Sequence, residues 1–133
     1  MLVFTVPGTP VAKGRPRAGT VAGRVRMFTP AKTVAYEGLI ALAAEKAMDG
    51  AAPYLGPVSI TVTATFAVPA SWSKKKQEAA LWHTGRPDGD NLLKAVGDGL
   101  NGVVWKDDSQ VASARIIKRY GDIPGLTVEV VPL

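Results

Sequence analysis

Cysteine is absent from the 133 residues, which removes disulfides, thiolate nucleophiles and cysteine-based zinc sites together. Histidine occurs once, at His83. A single imidazole builds no histidine cluster, so a metal site in this chain must be made of carboxylates, and His83 is assigned no catalytic role. No apolar run approaches the ~20 residues of a membrane span, and the N-terminal stretch shows no basic region followed by a continuous apolar signal core. A soluble, cytoplasmic protein without a membrane partner is expected. Acid is also scarce: 11 Asp and Glu stand against 16 Lys and Arg, a formal net charge of +5. That sign calls for an anionic partner without choosing among nucleic acid, lipid and acidic protein. The length and a hydrophobic content of 47% suit one globular domain, residues 1–133, able to bury a core.

The few acids are concentrated. Asp88, Asp90, Asp98, Asp107 and Asp108 fall within Arg86-Pro87-Asp88-Gly89-Asp90-Asn91-Leu92-Leu93-Lys94 and the stretch that follows it to Val111. Carboxylates set in a basic surface suit a divalent cation that prefers oxygen ligands, with phosphate oxygens of a polyanion completing its shell. Phosphodiester cleavage is the leading idea. Asp88 and Asp90, two apart on extended chain, can point to one side if Gly89 lets the backbone bend. Asp90 also stands just before a helix, where its oxygen can cap free amides instead. Asp107 and Asp108 come some twenty residues later, and a crossing helix of about three turns returns them beside the first pair. If the strand through Trp105 continues, their side chains diverge and only one reaches an ion directly; periodicity does not choose which. Lys94, one helical turn beyond Asp90, can hold the scissile phosphate, stabilise the transition state or offset repulsion among the acids. An EF-hand is excluded because its twelfth position is Gly99 rather than Glu. No Walker loop is present, so no nucleotide cofactor is expected.

Leu2-Val3-Phe4-Thr5-Val6, closed by Pro7-Gly8, reads as a short strand. Lys13, Arg15, Arg17, Arg24 and Arg26 follow among Gly, Pro and small residues with no helical period. They predict an exposed loop or hairpin whose guanidinium groups match phosphate geometry. Thr29-Pro30 reads as an N-cap and first helical proline, opening a helix that runs to Met48 and closes at Asp49-Gly50. Its apolar stripe is Tyr36, Ile40, Ala43 and Ala47 beside Leu39 and Leu42. Val58 to Val68 alternates cleanly and predicts a half-buried strand. Ser71 or Ser73 can cap a short helix that carries Lys74, Lys75 and Lys76 on its exposed first turn and ends near His83. Cations there oppose the helix dipole unless a bound anion compensates.

In Asn91 to Leu100, Leu92, Val96 and Leu100 lie one turn apart, as in a helix with one buried face ending at Asn101-Gly102. Gly97 and Gly99 each cost it ~1 kcal/mol against Ala, so tertiary packing or a close approach to another backbone must hold it. Val103 to Trp105 reads as a short strand; Val111 to Tyr120 and Leu126 to Val131 read as longer ones joined in an antiparallel hairpin. The order implies an α+β fold: a small mixed β-sheet with a C-terminal antiparallel hairpin, covered by helices.

Lys13-Gly14-Arg15-Pro16-Arg17, Pro87-Asp88-Gly89-Asp90-Asn91-Leu92-Leu93-Lys94-Ala95, Asp98-Gly99-Leu100-Asn101-Gly102 and Trp105-Lys106-Asp107-Asp108-Ser109-Gln110-Val111 together resemble the RusA family of Holliday junction resolvases, over nearly the whole chain. The resemblance implies a magnesium-dependent homodimer, with manganese as a substitute metal, that makes paired nicks in four-way DNA junctions during recombination and repair in bacteria or their phages. It implies that Asp88, Asp90 and Asp108 bind the metal, that Lys94 is the essential lysine, and that Asp107 orients Lys106 or a water behind the ligands. Lys13, Arg15, Arg17, Arg24, Arg26, Lys74, Lys75, Lys76 and Arg86 are the expected DNA contacts. Gly99 departs from the alanine frequent in that family. The competing reading is a noncatalytic nucleic-acid-binding module whose acids are only caps and turns; cleavage that depends on metal separates the two.

Overall fold

The computed structural model describes residues 1–14 and 17–133, with the backbone alone at Arg17. Arg15 and the Arg17 side chain, two of the expected DNA contacts, therefore lie outside the described residues. In chain order the elements are β1 (Leu2–Pro7), β2 (Arg17–Val21), β3 (Arg24–Phe28), α1 (Ala31–Met48), β4 (Val58–Ala67), α2 (Lys74–Ala79), α3 (Gly89–Leu100), a 3-10 turn (Asp108–Gln110), β5 (Val111–Gly121) and β6 (Gly125–Pro132). The α+β class is as expected. No helix among the described residues is long and apolar enough to cross a membrane.

Four strands form one sheet in the order β1-β6-β4-β5, and β2 pairs with β3 in a separate two-stranded ribbon. β4 runs antiparallel to β6 and parallel to β5. The C-terminal strands are therefore not a hairpin, which corrects the sequence expectation. β4 occupies the slot between them, and its alternation puts Val58, Ile60, Val62, Ala64 and Phe66 all at or below 6% exposure. The turn between β5 and β6 needs to span two strand spacings, ~10 Å, which three extended residues reach.

Helices α1 and α3 cover the inner face of the sheet. The buried stripe of α1 is Thr33, Tyr36, Ile40, Ala44 and Met48, stepping by three or four as a helix face must. Leu39 and Leu42, expected beside the stripe, face outward instead, at 52% and 50% exposure. Pro30 rather than Thr29 takes the N-cap position, and Asp49 closes the helix in the left-handed conformation at φ 47°. Against α1 runs α3, with Leu92, Val96 and Leu100 buried as expected. Gly99 sets their separation: a Cβ there would lie 2.9 Å from Ile40 Cγ2 and 3.1 Å from the Glu37 carbonyl. This is the close backbone approach that the two glycines of a weak helix called for.

Two further elements differ from expectation. Ser73 caps α2 by accepting from the Lys76 amide at 3.2 Å, but the helix ends at Ala79 rather than near His83. The next residues run beside β5 instead, Tyr120 N donating to the Leu81 carbonyl at 2.9 Å and His83 N to the Lys118 carbonyl at 3.1 Å. Val103 to Trp105 is a turn and not a strand: the amides of Val103 and Val104 both donate to the Leu100 carbonyl at 3.0 Å, spending on the helix end the donors a strand would need.

Candidate active site

The acidic motif folds as the start of α3. Asp88 stands at the N-cap position in extended conformation, and its carbonyl accepts from the Leu92 amide at 3.1 Å. Asp90, expected just ahead of the helix, is inside its first turn, so the two carboxylates leave a helix start rather than an extended chain. Asp88 makes no side-chain cap bond, and neither carboxylate has a hydrogen-bond or ion-pair partner among the described residues. Free amides and the helix dipole make this end favourable for anionic oxygen. Asp88 opens on a cleft of about 730 Å³ that also holds Arg86, Asn91 and Lys32. Lys32 was missed in the sequence, where nothing separates a lysine in the first turn of a helix from a solvated one; only the fold brings it to Arg86 and Asp88.

Farther along α3 lies Asp108. Trp105, with 0% exposure, donates its indole N–H to Asp108 Oδ1 at 2.8 Å. The carboxylate sits over Gly97, where a Cβ would lie 3.7–3.9 Å from its atoms. It lines a cleft of about 300 Å³ with Lys94 and Asp98 above an apolar floor that includes Ile60, Leu93 and Ala114. One oxygen of Asp108 is thus held by a buried donor while the other has no partner among the described residues.

Asp107 is engaged otherwise. Its carboxylate accepts from the Ser109 amide at 3.3 Å and from the Ser109 hydroxyl, and Gln110 Oε1 returns to the Asp107 amide at 3.0 Å, a reciprocal cap of the 3-10 turn. These bonds lower the carboxyl pKa below the usual 3.8. Gln110 Oε1 also accepts from the Lys106 amide at 2.9 Å, and its Nε2 donates to the Tyr54 carbonyl at 2.8 Å. The side chain expected to orient Lys106 is thus bound to Ser109, and Gln110 is what holds the Lys106 backbone. The expected strand through Trp105 is absent, yet the two neighbouring acids are separated into different surroundings all the same.

Asp90, Lys94 and Gly97 are spaced i, i+4, i+7 and share one helix stripe, so Asp90, the lysine and Asp108 over Gly97 follow one line along α3, with Asp88 at the N-cap off that line. They are not drawn into one cage: among the described residues no group of three or more His, Asp or Glu side chains is arranged to hold a metal ion. Magnesium commonly takes only one or two carboxylates and fills its octahedron with water and substrate phosphate. The uncommitted pair Asp88 and Asp90 fits that requirement; the three-acid set implied by the resemblance is not assembled.

The expected DNA contacts divide as well. Lys13 is bound within the protein: its Nζ lies 2.8 Å from Glu37 Oε1 and 3.0 Å from Asp98 Oδ2, with 18% of the side chain exposed, and these bonds raise its pKa above 10.5. Its amide donates to the Asn91 carbonyl at 3.1 Å, and the Gly14 amide donates to the Thr33 hydroxyl at 2.9 Å. Lys13 therefore clamps the N-terminal arm between α1 and α3 beside the acidic motif. Arg24 and Arg26 are exposed on β3. Lys74, Lys75 and Lys76 are exposed on α2, with Lys76 Nζ 4.1 Å above the Trp72 ring, and Arg86 lies in the cleft of Asp88.

A family model described as endodeoxyribonuclease RusA matches residues 7–131. The chain is also 41% identical, over 131 residues, to "Uncharacterized protein YqaN" of Bacillus subtilis (strain 168), an alignment covering 94% of this chain and 92% of the relative.

Proposed function

The chain belongs to the RusA endodeoxyribonuclease family, and from that premise we propose that it is a magnesium-dependent nuclease that resolves four-way DNA junctions by paired, symmetric nicks. The observation that supports this reading best is the pair of uncommitted carboxylates at the start of α3, of which Asp88 lines a cleft that carries Arg86 and Lys32. Asp88 and Asp90 would hold the metal, while Asp108, held by Trp105 farther along α3, would face the substrate beside Lys94. Magnesium, or manganese in its place, would supply Lewis-acid polarisation of the phosphodiester and acidify water. The protein's own groups then do the positioning. Arg86 and Lys32 bind phosphates flanking the scissile bond, and Lys94 donates to a non-bridging oxygen as charge builds on it. The Trp105 indole keeps one oxygen of Asp108 fixed. Two symmetric nicks need two sites, hence a homodimer with a two-fold axis, working on DNA in the cytoplasm of a bacterial or phage-infected cell.

The absence of a three-acid group among the described residues favours a second reading, a binding module that does not cut. Purified protein on a labelled four-way junction, with and without magnesium, separates them. Cleavage is expected only with magnesium and is abolished by Asp88→Asn or Asp90→Asn, while junction binding persists because no cationic phosphate contact is lost. Tight binding with no cleavage in magnesium or manganese would leave the binding module standing.

A further inference from the structure

Strands β2 and β3 pair with each other and, among the described residues, with no other strand. They are joined by a two-residue turn at Ala22 and Gly23, with φ of 52° and 76°, positive at both as a tight hairpin requires. β3 is exposed along its whole length. The register sets Arg24 opposite Val21, Arg26 opposite Gly19, Val25 opposite Thr20 and Met27 opposite Ala18, and residues directly opposite share a face. One face therefore carries Arg24 and Arg26, with the Phe28 ring lying over Gly19, where a Cβ would come within 2.8 Å of it. The other face is uncharged, built of Ala18, Thr20, Val25 and Met27. Val25 is 75% and Met27 65% exposed. A two-stranded ribbon is only marginally stable by itself in water, and large apolar side chains left open on it contribute nothing to folding.

We propose that this hairpin is the element that recognises the branch point of the DNA, its apolar face stacking on the base pair exposed where arms part and its arginines holding the phosphates of the strand that turns away. The proposal rests on the DNA reading above and adds what distinguishes a branch from a duplex. Charge selects the occupant: residues 1–36 contain no Asp or Glu but six Lys and Arg, so a second copy of the same surface would be repelled and a polyanion attracted. The two-sidedness selects the place. Along a continuous duplex the bases lie inside the groove with phosphates on both flanks, whereas at a branch a bare base-pair face and a phosphate backbone lie on opposite sides of an inserted ribbon. Apolar wedges set against base steps are a known use of Met and similar side chains, and arginine forks suit the phosphates.

Two double variants of the whole protein test this, with calcium replacing magnesium so that DNA is bound uncut. For Val25→Ser/Met27→Ser, the ratio of junction to duplex affinity is expected to fall about tenfold or more, the scale of one lost buried apolar side chain. Its dependence of log affinity on log salt should not change, and 2-aminopurine beside the branch should lose the fluorescence change that wild type induces. For Arg24→Gln/Arg26→Gln, affinity for every DNA should fall and the salt slope should flatten by about 0.9 per lost phosphate contact. An unchanged junction-to-duplex ratio in the serine variant, with wild type binding DNA normally, overturns the proposal and leaves the nuclease reading intact. Dissociation of a dimer by the serine changes, without loss of that ratio, would instead make the apolar face a subunit contact. Failure of wild type to bind any DNA overturns both readings.

Discussion

The indole N–H of Trp105 donates to Asp108 Oδ1 at 2.8 Å, which ties an exposed carboxylate to a side chain with no exposed surface. A carboxylate on a surface turn normally samples several rotamers. Here a rigid buried donor selects one and directs the second oxygen into the cleft of Lys94 and Asp98.

Trp105→Phe keeps a buried aromatic ring and removes the donor, so Asp108 stays charged but loses its orientation. Cleavage of a four-way junction is expected to fall about 10–100-fold, the range for groups that orient a metal ligand, with secondary structure retained. Single-turnover rates measured beside circular dichroism check it. A rate equal to wild type would mean that the bond does not matter to function.

How far the chain could be read in advance follows from which interactions are local. The alternation of Val58 to Phe66 is a property of neighbours in sequence, and it located β4. The place of β4 between β5 and β6 depends on pairings across the whole chain, and no turn signal near Gly121 records them. Asp90 and Lys94 were legible as neighbours because α3 spaces them by its own period, whereas the pairing of Asp88 with Asp90 was read from an extended chain that the structure replaces with a helix start. The division of labour between Asp107 and Asp108 was not, since it depends on Trp105 being buried under the sheet and on a turn capped by Gln110. Lys13 looked like a phosphate contact because its partners, Glu37 and Asp98, are remote in sequence.

Gly99→Ala tests how closely α1 and α3 are packed. Helix propensity alone predicts a gain of ~1 kcal/mol, but the new methyl would meet Ile40 at 2.9 Å and the Glu37 carbonyl at 3.1 Å. Neither the helix backbone nor a fully buried Ile can yield cheaply, and overpacking of this kind costs ~1–3 kcal/mol. A net loss of stability is expected in denaturant unfolding. Gly97→Ala, whose methyl would meet only ordinary contact with Asp108 at 3.7 Å, should be neutral or stabilising. Stabilisation by Gly99→Ala would mean that the helices can move apart.

His83 should make stability depend on pH. Its ring stacks on Phe66 at 3.8 Å between centroids and meets Tyr120 edge-on at 5.1 Å, and burial, then the charge of Lys118, lowers its pKa from 6.5. The folded protein therefore favours the neutral ring, and the unfolded chain takes up the proton first as the pH falls. The stabilisation is complete above 6.5 and is lost as the pH drops from there through the folded value. Thermal unfolding at pH 7.5, 6.5 and 5.5 should show a decline that His83→Phe removes. As the only histidine, it leaves no second imidazole to blame, and an identical decline in the variant would assign the effect to carboxylates.

Asp107 and Asp108 adjoin in sequence and should behave oppositely under the same substitution. In Asp108→Asn the amide oxygen can still accept from Trp105, so the geometry stays and only the charge is lost. If that charge acts on the metal or on the phosphate, turnover should nearly vanish and added magnesium should restore little. Asp107→Asn keeps an acceptor for the Ser109 amide and hydroxyl, so the turn persists and activity should remain close to wild type. Asp107→Ala removes the cap, loosens the turn that carries Asp108, and should cost an intermediate ~10–100-fold that excess magnesium partly recovers. Since Asp107 has its pKa lowered by the bonds to Ser109, its contribution to the turn is present above about pH 3.8 and fades only as the pH falls through the lowered value, outside any assay range. Single-turnover cleavage across a magnesium titration for the three variants decides the matter: a severe, magnesium-resistant loss in Asp107→Asn with near-normal cleavage by Asp108→Asn would reverse the two roles.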